Sequence, residues 1–184
     1  LVFKFTKTLD FRSANISVNL RNNTPTTKHQ LMIEIQKTTE SKIDKTNFDN
    51  LAFGQVFSDH MMECDYKNGA WQKPIIRPYG PLSLEPSARV FHYGQAVFEG
   101  MKAYKDKDDR IWLFRPEQNF ERINKSSARM AIPEFPKEYF FEALEELLKL
   151  DKDWIKKGFG NSLYLRPFVI ATEAGVSASA AKEY

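Results

Sequence analysis

The amino-acid sequence predicts an α+β fold, an antiparallel sheet with helices on one side, and three observations carry that expectation. Two strand–turn–strand patterns occupy the middle of the chain, two consecutive amphipathic helical patterns follow, and an alternating strand closes the ordered sequence. The first hairpin runs through FGQVFSDHMMECDY, turns at Lys67, Asn68 and Gly69, and returns through AWQKPIIRPY, its second arm interrupted by proline. Pro78, Pro81 and Pro86 then leave residues 78–90 mostly as loop. The second hairpin pairs MKAYK with RIWLFR across the polar run DKDD.

Pro116 opens the first long helix, PEQNFERINKSSARMAI, with Phe120, Ile123, Ser127 and Met130 on one face. The second helix starts near Pro136 and carries the stripe Phe140, Ala143, Leu144, Leu147 and Trp154. Gly158 is expected to end it, with Lys156 and Lys157 facing the negative end of its dipole. The run NSLYLRPFVIATE reads as a strand from about Ser162 to Ala171, and EAGVSASAA as a loop of small residues.

Composition bounds the function. Of 184 residues 42% are hydrophobic and 28% charged, enough apolar material for one core and too much charge for a membrane protein. The net charge of +3 gives no general case for nucleic acid or anionic lipid, and the excess is confined to residues 1–31. That stretch reads as a disordered or non-native leader or an ordinary mobile tail, with Met32 as a candidate start and residues 32–184 as the domain proper. Cys64 is the only cysteine, which excludes an intramolecular disulfide and fits a reducing, cytoplasmic compartment. No apolar run is long enough for a membrane span or a signal-peptide core.

His29, His60 and His92 show no metal-ligand spacing and read as structural or surface residues, so no metal is expected. There is no nucleophile elbow, GxGxxG or P-loop. What remains is two arginines. The two-residue strand period places Tyr164 and Arg166 on one face of LYLRP, with Leu163 and Leu165 on the other. A fork and a phenol side by side suit a carboxylate, and an internal glutamate partner is the competing reading. Arg122 falls in the first turns of its helix, where an anion is favoured, although most helix arginines are simply solvated. The aromatic run FHYGQAVFEGMKAY either walls a small pocket or packs a core, and packing is the plainer expectation.

Taken together and in order, FGQVFSDHM, HYGQAVFEGMKAY, LFRPEQNFERI, LDKDW and SLYLRPFVI resemble the branched-chain amino-acid aminotransferases, class IV (fold type IV) pyridoxal-phosphate enzymes. The resemblance runs from about Leu51 to Lys182, and residues before Met32 have no counterpart in it. It implies the small N-terminal domain of such an enzyme, incomplete at its C-terminal end and without the large C-terminal domain. It assigns the cofactor phosphate of pyridoxal 5′-phosphate to Arg122. Phe53, Tyr93, Phe98 and Tyr164 become pocket walls, and Arg166 with Tyr164 recognises the distal carboxylate of glutamate. Tyr93 and the loop carrying Ala174, Gly175 and Val176 would reach a partner subunit's pocket in a homodimer or larger homo-oligomer.

The implied reaction moves an amino group between leucine, isoleucine or valine and 2-oxoglutarate, so the partners are small amino and 2-oxo acids. The lysine that holds the cofactor lies beyond Tyr184 in this family. No catalytic residue is therefore assigned within these 184 residues, and the chain alone is expected to be inactive. Two other readings stay open: a relative such as a D-amino-acid aminotransferase or lyase, and a non-catalytic carboxylate-binding remnant.

Overall fold

A computed structural model describes residues 2–7, by backbone alone, and residues 32–184. Its strands are β1 (Val2–Lys7), β2 (Glu34–Ile35), β3 (His60–Glu63), β4 (Tyr66–Lys67), β5 (Ala70–Trp71) and β6 (Ile75–Pro78), then β7 (Ala96–Phe98), β8 (Met101–Lys105), β9 (Ile111–Leu113), β10 (Asn161–Arg166) and β11 (Phe168–Ile170). The helices are α1 (Arg89–Tyr93), α2 (Pro116–Arg129) and α3 (Lys137–Leu150). Strand order in the largest sheet is β1-β10-β8-β9, all antiparallel. A second sheet runs β2-β6-β3 with β2 and β6 parallel, and β7/β11 and β4/β5 form two further pairs. Strand β1 falls in the stretch read as a leader and pairs along the edge of β10; residues 8–31, including His29, lie outside the described residues.

Both hairpins form where the turn residues put them. Asn68 (φ 55°) and Gly69 (φ 80°) take the left-handed conformations that a two-residue turn between right-twisted strands demands. The arm before that turn begins at His60, shorter than the sequence pattern, because Asp59 turns its carboxylate to other elements. Asp59 accepts from the Lys42 N–H (2.9 Å), the Ser41 hydroxyl and the Trp154 indole N–H (2.9 Å). In the second hairpin Ala103 pairs with Leu113 and Lys105 with Ile111.

The strand expected from Ser162 to Ala171 is broken at Pro167, which has no N–H for the ladder. The register continues across the break: Leu165 faces Met101 and Phe168 faces Phe98, so Arg166 and Pro167 stand opposite Gly100 and Glu99. Burial alternates along this whole ladder. Val97, Glu99, Met101 and Ala103 are buried, while Ala96, Phe98 and Tyr104 are exposed.

On α2, Phe120, Ile123 and Ser127 are buried as the periodicity requires, but Met130 is the capping residue and is exposed. Helix α3 buries Phe140, Ala143, Leu144 and Leu147, yet it ends at Leu150 rather than near Gly158. Asp151 stops it by turning inward to accept from the His60 backbone N–H (3.1 Å) and from the His60 ring (2.6 Å). Trp154 consequently sits in a separate 3-10 turn, Lys152–Trp154. Lys156 and Lys157 therefore do not serve the α3 dipole: Lys156 stands 4.0 Å over the Phe48 ring and Lys157 pairs with Asp109.

The larger core joins both hairpins to the long helices through Ile76, Leu113, Phe120, Leu147, Trp154 and Leu163, while a smaller one gathers Val97, Ile123, Ile132, Ala171, Ala181 and Tyr184. Among the described residues no helix is long and apolar enough to cross a membrane.

Burial would raise the Asp59 carboxyl, but its three donors outweigh that and hold it below its ordinary value of 3.8. A depressed carboxyl stabilises the fold above its unfolded value and loses that contribution as pH falls through the folded one. Urea unfolding of this chain at pH 7 and at a pH below 3.8 should therefore show a stability loss that is smaller in Asp59→Asn. An identical loss in both proteins would remove Asp59 as a source.

Candidate functional site

The paired breaks of the long ladder, Glu99–Gly100 on one strand and Pro167 on the other, bring the sequence-predicted residues into two groups and a bridge. The Glu99 N–H donates to the Pro167 carbonyl at 2.8 Å and closes this junction. On one face of the ladder, the Arg166 guanidinium stacks 4.6 Å from the Phe98 ring centroid and 5.2 Å from that of Tyr164. Its Nη2 donates to the Tyr164 hydroxyl at 2.7 Å. The Phe53 ring meets Tyr164 edge-on at 5.4 Å, so Phe53, Phe98, Tyr164 and Arg166 form one cluster.

No carboxylate among the described residues lies within ion-pair distance of Arg166, and its Nε is buried without a hydrogen-bond partner. The internal-glutamate alternative is thus not what the fold adopts. A guanidinium with a free donor between aromatic walls is chemically a receptor for an anion on an otherwise apolar ligand. The expectation that FHYGQAVFEGMKAY packs a core holds for one face of the run, where Val97, Met101 and Ala103 are buried; Phe98 (67% exposed), Phe91 (63%) and Tyr93 (47%) face outward.

Arg122 has the opposite situation. It is the seventh residue of α2, beyond the four free N–H groups of the helix start, so the dipole argument for it does not hold. Its Nε and Nη2 instead donate to the two oxygens of Glu99, Nε at 2.6 Å, while Nη1 has no protein partner among the described residues. Glu99 is 4% exposed and Arg122 66%, so the pair spans from the interior to the surface. Burial would raise the Glu99 carboxyl; the Arg122 fork and the Gly100 N–H (2.7 Å) together hold it below its ordinary 4.5. By strand alternation Glu99 shares the buried face with Val97 and Met101, and Arg166 stands on the other. Arg122 therefore joins the aromatic cluster only through Glu99 and Gly100, with the Asn119 amide on the Gly100 carbonyl (3.3 Å) as a second tie.

Sequence reasoning missed Glu99. The signal was available: in Val97, Glu99, Met101, Ala103 the buried-face alternation is interrupted by one acid, which must find a cationic partner.

The remaining site residues form a second group. The Tyr93 hydroxyl donates to the Val176 carbonyl, and Ala174 bridges to Ala88. This group adjoins Gln95, at the other end of β7 from Phe98, about 10 Å away at the usual strand rise. The structure does not bring Tyr93, Ala174 and Val176 together with Phe98 and Arg166.

Among the described residues neither group contains a cysteine or histidine, and Lys102 stands across from Tyr164 in the ladder. Burial pushes the Cys64 thiol up to about 12, so it stays protonated. Burial lowers Lys105, but Lys105 is at the far end of β8 from Met101, about 13 Å along the strand. His60 is engaged with Asp151, His92 is exposed against the Pro86 carbonyl, and no group of three metal-ligating side chains exists among the described residues.

With this geometry in view, comparison with known proteins is informative. No family model matches the chain. Branched-chain-amino-acid transaminase 1 of Bacillus subtilis strain 168 is 51% identical over 154 residues, 83% of this chain and 43% of that protein. Branched-chain-amino-acid aminotransferase 2 of the same organism is 47% identical over 159 residues, and the enzyme of Mycolicibacterium smegmatis 48% identical over 137. Each of these relatives carries a branched-chain aminotransferase name; the chain is similar to them over most of its own length and spans about two fifths of the length of the curated relatives it matches. Among solved structures the Escherichia coli branched-chain aminotransferase gives a TM-score of 0.45 at 17% identity, over 65% of this chain and 36% of that one, too loose to bear on the argument.

Gly100 is the position on which the aromatic cluster turns. A Cβ there would overlap the Tyr164 hydroxyl oxygen and lie 2.9 Å from its Cζ, and Tyr164 is fixed between Phe53 and Arg166. Gly100→Ala is therefore expected to displace Tyr164 and cost about 1–3 kcal/mol in urea unfolding. A variant with wild-type stability and an unmoved Tyr164 ring in its crystal structure would show that the junction has slack.

Proposed function

We propose that the whole protein is a branched-chain amino-acid transaminase, moving the amino group between L-leucine, L-isoleucine or L-valine and 2-oxoglutarate with pyridoxal 5′-phosphate. The observation that carries this reading is Arg166: aromatic walls on two sides, one phenol partner, and no acid partner among the described residues. Such a site accepts an aliphatic side chain against Phe53 and Phe98 in one half-reaction. In the other it pairs a distal carboxylate with Arg166 and Tyr164. The same two surfaces serve both substrates, which the exchange of amino groups between them requires.

The cofactor reading rests on Arg122. Glu99 fixes the guanidinium by two bonds, while two thirds of the side chain stays exposed and Nη1 has no partner among the described residues, which fits one charge-assisted contact to a phosphate. When bound, pyridoxal phosphate supplies the electron sink for exchange of the amino group. Arg122 would hold its phosphate, and Glu99 would hold Arg122. The lysine that binds the cofactor is assigned outside residues 1–184, so this chain alone is expected to be inactive. Tyr93, Ala174 and Val176 lie apart from Arg166, and this separation supports their service to a partner subunit's pocket in a homodimer or larger assembly. A cytoplasmic setting is part of the same proposal.

In the full-length protein, Arg166→Ala is expected to raise KM for glutamate and 2-oxoglutarate about tenfold to a hundredfold, the size of one hydrogen bond to a charge, while leucine changes far less. Equal losses for both substrate types would make Arg166 structural, and turnover of D-alanine but not L-leucine would favour the D-amino-acid relative.

Arg122→Ala is expected to weaken pyridoxal-phosphate binding, read as the dissociation constant by fluorescence titration, by about tenfold or more. Unchanged affinity would mean that Arg122 serves only to neutralise Glu99, leaving a carboxylate-binding domain without this cofactor contact.

A further inference from the structure

We propose that Arg89 is a latch that sets the shape of the segment from Glu173 to Ala180, and is thereby a positioning residue for Ala174 and Val176. Arg89 is the buried exception on α1: it is 5% exposed, whereas Phe91 and Tyr93 on the same short helix face outward. Its guanidinium is wrapped by the segment. Nη1 donates to the Ser179 carbonyl, to the Ser179 hydroxyl (2.8 Å) and to the Ala180 carbonyl (3.4 Å). Nη2 donates to the Glu173 carboxylate (3.2 Å) and the Ser177 hydroxyl (3.1 Å). The two backbones are joined as well, Arg89 N–H to the Glu173 carbonyl (3.0 Å) and Gly175 N–H to the Ser87 carbonyl (2.9 Å).

The segment has little else to fix it. Residues 176–180 are all exposed, Val176 by 64%, and apolar anchoring begins only at Ala181 and Tyr184. A run of Ala, Ser and Gly cannot choose one conformation by packing. One planar fork that collects five acceptors can, because its donors point in fixed directions. Glu173 extends the latch: its second oxygen accepts from the Lys182 N–H (2.5 Å), tying the segment's start to its end. The Tyr93 hydroxyl on the Val176 carbonyl then orients the middle. Lysine could keep the charge but would offer donors from a single atom, so Arg89 is read as a shape requirement and not only as a counter-ion.

The effect on substrate binding rests on the reading above, in which Ala174 and Val176 line a pocket; the latch itself does not. The test uses the full-length protein with Arg89→Lys and Arg89→Ala, and the double variant Ser177→Ala/Ser179→Ala should Arg89→Ala fail to fold. Amide hydrogen exchange across residues 173–180 is expected to accelerate about tenfold or more while the amides of β8 and β10 stay as in the wild type. Steady-state kinetics should show KM for leucine and 2-oxoglutarate raised about tenfold with kcat within about twofold, the pattern of a lost binding surface. Unchanged exchange in every variant overturns the latch, and a fall in kcat at constant KM overturns its positioning role. A wild-type protein that turns over no branched-chain amino acid would refute the proposed function, and the exchange arm would then decide the latch alone.

Discussion

A buried carboxylate in the wrong place for a core residue organises the centre of this molecule. Glu99 occupies an inward position between Val97 and Met101, where strand alternation calls for an apolar side chain. A charge there is tolerable only if its oxygens are saturated, and both are taken by Arg122, with the Gly100 N–H added to one of them. The backbone of the same residue closes the ladder at Pro167, which can accept but cannot donate. One residue thus joins β7, β8, α2 and the β10–β11 break. Phe98 before it and Gly100 after it are then delivered to the opposite face, one as a wall for Arg166 and the other as the gap that Tyr164 fills.

The two arginines of interest differ because their surroundings differ in acidity. Arg122 has a carboxylate within reach and spends two of its three nitrogens on it. Arg166 has none among the described residues and is held by ring faces and one phenol. Ring faces are weak partners, worth about 0.5–2 kcal/mol each, against the stronger charge-assisted bonds a carboxylate would provide. Arg166 therefore keeps most of its capacity for an incoming anion, whereas Arg122 offers an anion only what Glu99 leaves. On the proposed reading this ordering suits their tasks: a substrate carboxylate must arrive and depart in every cycle, and a cofactor phosphate needs a fixed donor that does not move.

Much of this fold was legible in the sequence, and the misses have physical causes. Asn68 and Gly69 announced their turn through backbone conformation, a local property, and Leu163 and Leu165 announced the core through alternation. The end of α3 could not be read locally, since Asp151 halts it by bonding to His60, ninety-one residues earlier. Trp154 matched the helical stripe by number yet reaches the core from a separate turn. In the site, the face shared by Tyr164 and Arg166 followed from a period of two. The placing of Arg122 did not follow from its helix, because the deciding partner, Glu99, sits on a neighbouring strand segment and is marked only by interrupting an apolar alternation. Arg89 was invisible for the same reason: its five acceptors are mostly backbone carbonyls and serine hydroxyls, which no residue pattern marks.

Pro167 connects these points. In a continuous strand the residue opposite Glu99 would offer an N–H and the ladder would run on unbroken, with Arg166 as one more residue in its interior. Proline removes that donor without shifting the register, so Leu165 and Phe168 keep their partners on either side. The rung opposite Glu99 keeps the bond from the Glu99 N–H and lacks only the return donor, beside Arg166 and Phe98. A substitution restoring the N–H would not disturb the alternation that buries Leu163, Leu165 and Val97. Its effect would fall on the one rung that adjoins Arg166 and Phe98, while the pairs on either side keep their partners.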